Sequence, residues 1–276
     1  MRRLALALAL ALVGPSLACE SRAASRDAPQ PDPSHPSEPP SEPPPSEPPP
    51  SEPAPLELVA GEAAGIHYVE LVTGDASPEA ALPMIVAIHG LGDTPENFAE
   101  LFVGFDRPAR VILPRGLDPQ EGGWSWFPFR AASPDVDALA QSIAGAADRL
   151  APAIAELHQR RPSKGKPIVT GFSQGGMLTL MLAVEHSEQV GHAIAIGGWL
   201  PPPRWPQTKP PADAPTIVAL HGDIDKAVAF APTKQAVEHL AALGWPAELH
   251  GYPNVGHAIP PAMRGEFFAL LRSYID

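Results

Sequence analysis

Between residues 56 and 276 short β-branched or apolar runs alternate with longer stretches whose apolar residues recur every three to four positions. The short runs predict strands at 56–60, 66–73, 84–89, 110–113, 167–171, 192–197, 216–221 and 247–252. The longer ones predict helices near 95–102, 135–160, 175–186, 231–243 and 262–274. The longest carries Val136, Leu139, Ile143, Ala147, Leu150, Ile154 and Leu157 at helical spacing, with Pro134 near its start and Ser133 as the expected cap. Met177, Leu178, Leu180, Met181, Leu182 and Val184 make the helix at 175–186 apolar on nearly all sides, as a buried helix must be. Alternation of this kind predicts one α/β domain with a mostly parallel central sheet and helices on both faces. The apolar stripes are core, and ligands of such sheets sit at the carboxyl ends of the strands.

The first 55 residues follow another pattern. Arg2-Arg3, the ten apolar residues Leu4 to Val13 and then Gly14-Pro15-Ser16-Leu17-Ala18 read as a signal peptide over 1–18, too short to span a bilayer. Cys19, the only cysteine, follows at the position that a bacterial lipoprotein signal acylates, although Ser16 stands where such a signal usually has leucine. Ser16-Leu17-Ala18 also suits ordinary signal peptidase, so the expectation is an exported protein, lipid-anchored at Cys19 in a bacterial envelope or secreted. From Pro29 to Pro55 the chain holds 14 of its 38 prolines in a Ser-Glu-Pro-Pro repeat, and 19–55 is expected to be an extended tether without a core.

Residues 56–276 carry 15 Lys and Arg against 24 Asp and Glu, with no basic stripe, which argues against nucleic acid or an anionic membrane surface as partner. Any membrane contact is expected through the N-terminal lipid alone. A single cysteine allows no internal disulfide, and oligomeric state is not legible.

The most informative turn is Gly171-Phe172-Ser173-Gln174-Gly175-Gly176, which joins a predicted strand to a predicted helix. A serine on so sharp a turn leaves no room for Cβ atoms two residues to either side, and Gly171 and Gly175 stand there; this is a nucleophile elbow. Serine needs a base to take its proton, and the base needs an acid to fix its tautomer. Of the histidines that follow every candidate acid, His239 falls mid-helix and His250 inside a strand, whereas His257 lies in a glycine-flanked loop after the last strand and is the expected base. Asp223 and Asp225 compete as the acid; Asp225 has the better reach, and Asp223 can brace the turn. Backbone amides of Gln174 and of Leu91, in Gly90-Leu91-Gly92, are the expected oxyanion donors. His89 and His221 each precede a glycine at a strand end and are expected to shape turns. Metal-ligand spacing such as His-Glu-x-x-His does not occur, and no cofactor is expected.

His89-Gly90-Leu91-Gly92-Asp93, Trp126-Phe127, Gly171 to Gly176, Gly198-Trp199-Leu200-Pro201, His221-Gly222-Asp223-x-Asp225 with Val228, and Gly256-His257 together resemble the phospholipase/carboxylesterase family, which includes acyl-protein thioesterases. The resemblance spans 66–274 and implies an α/β-hydrolase fold, a Ser173, Asp225, His257 triad, Leu91 and Gln174 amides as oxyanion hole, and cofactor-free hydrolysis of small carboxylic esters, thioesters or lysophospholipids. Gly197 stands where the family often has serine, and Pro128 where it often has aspartate.

Only 17 residues, seven of them proline, run from Trp199 to Pro215, which leaves no room for a large cap domain. The expected site is therefore a shallow cleft lined by Leu91, Trp124, Trp126, Phe127 and Trp199, with at least two of these aromatics in the core, suited to small or medium acyl chains. The expected activity is that of a serine carboxylesterase acting through an acyl-enzyme. The alternatives are an extracellular polysaccharide or feruloyl esterase, a polyester depolymerase, and a non-catalytic envelope binding protein that keeps the fold.

Overall fold

A computed structural model describes residues 56–276. The expected signal peptide, the tether and Cys19 lie outside the described residues. Ten strands form, β1 (Val59–Ala63), β2 (Ile66–Thr73), β3 (Met84–Ile88), β4 (Ala109–Pro114), β5 (Asp118–Gln120), β6 (Gly123–Ser125), β7 (Ile168–Phe172), β8 (His192–Ile196), β9 (Thr216–Gly222) and β10 (Ala247–Tyr252). The helices are α1 (Pro95–Ala99), α2 (Val136–Arg160), α3 (Gln174–Glu185), α4 (Phe230–Ala242) and α5 (Pro261–Ile275). Eight strands make one sheet in the order β1-β2-β4-β3-β7-β8-β9-β10, antiparallel at β1, β2 and β4 and parallel from β4 to β10.

The two-residue period of the strands splits the core. Val86 and Ile88 of β3 pack with Leu139, Ile143, Met177 and Leu240 from α2, α3 and α4 on one face. Ile85 and Ala87 pack with Phe98, Met263, Phe267 and Leu271 from α1 and α5 on the other. β7, covered on both sides, is buried from Ile168 to Gly171, and its one polar side chain, Thr170, is satisfied by donating to Ile194 O at 2.8 Å. The segment between β8 and β9 adds one short helical turn, Pro202–Arg204, and among the described residues no cap domain is inserted there.

Two local expectations change. The cap of α2 is Asp135, whose Oδ1 accepts the amide of Ala138 at 2.9 Å; Ser133 lies two residues too far out to reach that amide. The β5–β6 hairpin was not anticipated, because it is three residues on each side and Asp118-Pro119-Gln120 is wholly exposed, with no apolar alternation to read.

At the end of the sheet away from the strand carboxyl termini, the Glu70 carboxylate sits between two guanidinium groups. Arg110 donates to one oxygen, and Arg161 Nε and Nη2 donate to the other at 3.0 and 2.8 Å. Arg110 is 1% exposed and also donates to Pro78 O at 2.7 Å. Removing one member of so buried a pair strands the other charge. Glu70→Ala is expected to lower unfolding free energy by about 3 to 5 kcal/mol. Denaturant titration should show the reduced midpoint at an unchanged m value, while hydrolysis per folded molecule stays at the wild-type level.

Candidate active site

Close backbone packing creates the turn that carries Ser173. A Cβ on Gly175 would lie 1.9 Å from Ile88 O, and one on Gly171 would lie 2.6 Å from the carbonyl carbon of Gly175. With no side chains at those positions, α3 starts directly against the end of β3, and Ser173 is forced to φ 58 and ψ −114. Its amide is tied to Ile196 O at 3.0 Å.

Ser173 Oγ lies 2.9 Å from His257 Nε2, and His257 Nδ1 lies 2.7 Å from Asp225 Oδ2. An ionised carboxylate can only accept, so Nδ1 carries the ring proton and Nε2 is free to accept from the serine hydroxyl. The other oxygen of Asp225 accepts the amides of Ala227 and Val228 at 2.8 and 2.9 Å, so the buried carboxylate is satisfied in one orientation. The His257 ring stacks on Phe172, with centroids 4.6 Å apart. Asp223 is exposed and points elsewhere, accepting the amide of Asn254 at 2.7 Å and so tying the loop after β9 to the one that bears His257. Gly197 adopts φ 54, a conformation that strains a serine, which gives a backbone reason for glycine at that place.

The amides of Leu91 and Gln174 have no acceptor among the described residues. That of Gln174 opens α3, where the helix dipole adds positive potential. Behind them, His89 Nδ1 donates to Gly90 O at 2.6 Å, and its Nε2 accepts the amide of Gly116 at 3.0 Å. His221 Nε2 donates at 2.8 Å to the carbonyl of Val228, the residue whose amide Asp225 accepts. Burial pushes both imidazoles below the ordinary histidine value, so they brace turns in the neutral form. His239 instead meets Pro206 O and Trp205, and His250 meets Glu266 of α5.

A sequence model of the phospholipase/carboxylesterase family matches residues 70–272. The chain belongs to that family. Acyl-protein thioesterase 1 of Gibberella zeae is 25% identical to it over 211 residues, 69% of this chain and 90% of that protein. Among solved structures, esterase PE8 aligns with a TM-score of 0.63 at 24% identity, over 74% of this chain and 99% of the other. The Bacillus cereus carboxylesterase gives 0.63 at 15% identity, over 76% and 94%. These likenesses place the fold among α/β-hydrolases, and membership of the family makes the chain a hydrolase of ester bonds.

The wall of this family member's site differs from the one expected. A cavity of about 210 Å³ opens beside Ser173, lined by Leu91, Phe129, Arg130, Ala131, Ala132, Gln174, Met177, Lys226, Ala227 and Val228. Trp124, Trp126, Phe127 and Trp199 do not line it. Trp126 and Phe127 are core, at 1% and 2% exposure, with Trp126 Nε1 donating to His89 O at 3.0 Å. Trp199 is buried beyond β8, and Trp124 lies half-buried under the Arg115 guanidinium at 4.1 Å. Their size recommended them to the core as strongly as to a pocket, and the core took three. Sequence reasoning also missed the side chain of Gln174. Its Oε1 accepts the amide of Trp126 at 3.0 Å and its Nε2 donates to Phe127 O at 2.9 Å and to Phe129 O at 3.3 Å, the last of which ties the cavity wall to the elbow.

His89, His192 and His221 are all held below the ordinary value of 6.5, chiefly by burial. As pH falls through about 6.5 the unfolded chain takes up protons that the native protein refuses, so stability is full above that value and declines below it. Urea midpoints are expected to drop between pH 7.5 and 5.5; a level profile would contradict the neutral, buried state of these rings.

Proposed function

We propose that the protein is a serine carboxylesterase working through a Ser173, His257, Asp225 triad on small or medium-chain esters. The observation that carries this reading is the unbroken hydrogen-bonded run from Ser173 Oγ through both nitrogens of His257 to Asp225, beside two unpaired amides. As Oγ attacks the ester carbonyl carbon, His257 Nε2 takes its proton and Asp225 stabilises the imidazolium. The carbonyl oxygen becomes an oxyanion that accepts from the Leu91 and Gln174 amides. Collapse breaks the ester C–O bond, His257 returns the proton to the departing alkoxide, and an acyl group remains on Ser173. Water, deprotonated by His257, attacks that acyl-enzyme, and the same steps in reverse order of roles release the acid and restore the serine. The cavity volume of about 210 Å³ is some seven times the ~30 Å³ share of a liquid water, which supports short acyl groups over the long chains of lipidated proteins.

Ser173→Ala is expected to lower kcat by about a thousandfold or more with little change in melting temperature. Asp225→Asn should lose activity on a similar scale, because its oxygen stays on the Ala227 and Val228 amides and an NH2 donor then faces His257 Nδ1, which sets the wrong tautomer. Asp223→Asn retains an oxygen for the Asn254 amide and should stay near wild type; ester hydrolysis and circular dichroism of the three variants check this, and a more damaging Asp223→Asn would transfer the role of acid.

Export, with lipid on Cys19 holding the domain to a bacterial envelope, is part of the same reading. It is supported by the order of apolar run, Ala18, Cys19 and proline-rich spacer. Fatty-acid labelling and fractionation are expected to place wild type with membranes and Cys19→Ala in the soluble fraction. Unlabelled wild type released to the same extent would indicate ordinary secretion.

A further inference from the structure

The cavity beside Ser173 is lined by apolar residues, among them Leu91, Met177 and Val228, and by two residues with cationic side chains, Arg130 and Lys226. No aspartate or glutamate lines it. Both residues are exposed, and among the described residues neither side chain has a hydrogen bond or ion pair; they belong to two separate segments, one after β6 and one after β9, that both line this opening. The domain around them carries 24 acidic and 15 basic side chains, against which a cavity lined by two basic residues and no carboxylate stands apart. Asp225, next to Lys226 in the chain, directs both carboxylate oxygens to two amides and to His257 rather than to either cation.

His257 must hand its proton to the leaving alcohol, and it is not among the cavity walls. The cavity therefore faces the other substituent of the carbonyl carbon, the acyl group. We infer that Arg130 and Lys226 select esters whose acyl part ends in a carboxylate, that is, monoesters of short dicarboxylic acids with an aliphatic spacer of a few carbons. The methylenes pass over Leu91, Met177 and Val228, while the distal carboxylate reaches the two cations. An anionic substrate also gains local concentration at a cationic mouth, an effect that salt weakens. This inference rests on the esterase reading above.

The full chain should be assayed with 4-nitrophenyl pentanoate, 4-nitrophenyl glutarate monoester and the butyrate ester of 4-hydroxybenzoate, whose charge sits on the alcohol. Two exposed ion pairs support a preference in kcat/KM of about tenfold for the glutarate monoester over pentanoate. That ratio should shrink with added sodium chloride and approach one in Arg130→Gln/Lys226→Gln. It should fall below one in Lys226→Glu, and the hydroxybenzoate ester should show no comparable advantage. Because each ratio is taken on a single preparation, partial loss of folded protein cancels. Efficient hydrolysis of pentanoate with no preference for glutarate, or a preference that survives the double substitution, would overturn the charge inference and leave the esterase reading standing. Failure to hydrolyse any of the three would overturn both.

Discussion

The meeting of three backbones at Gly171, Gly175 and Ile88 is the constraint on which the site depends. The contact lets α3 begin within a residue of the end of β7, and that sharp start holds Ser173 at positive φ with its hydroxyl turned toward His257. The same start directs the Gln174 amide into the cleft while its side chain grips the Trp126–Phe127 backbone. Ser173, the free Gln174 amide and the backbone that leads to Phe129 in the cavity wall thus share one local geometry, and the strain is held by the core on both faces of the sheet.

Histidines close to one another serve opposite ends. His89 and His221 are wholly buried, neutral and committed to backbone partners, so their protons are static. His257 stands at the surface between a carboxylate and a hydroxyl, with partners that let a proton pass through it. Surroundings, rather than residue type, separate the bracing histidines from the one that bridges a hydroxyl and a carboxylate.

The elements were legible where one physical signal dominated. The period of two in β3 and of 3.6 in α2 had no competitor, and the order of Ser173, Asp225 and His257 along the chain could be read because each falls in a turn at the carboxyl end of a strand. Legibility failed where signals competed. Ser133 and Asp135 are both good caps, and only the three-dimensional start of α2 chooses between them. Trp126, Phe127 and Trp199 suit a pocket and a core equally, and nothing local to them reveals which space is open. Phe129 to Ala132 carries no periodicity at all; its place in the cavity wall follows from Gln174, a contact 45 residues distant in sequence at Phe129 O.

The site divides into parts that differ in their freedom to vary. Backbone carbonyls already fill the space beside Gly171 and Gly175, so the elbow tolerates no change in side chain. Ala132 and Ala227, by contrast, come from segments outside the strands and helices, and both are exposed. Lineages, or protein engineers, can therefore reshape the cavity beside Ser173 by exchanging small residues there without disturbing the elbow. One reaction can be kept while its diet changes.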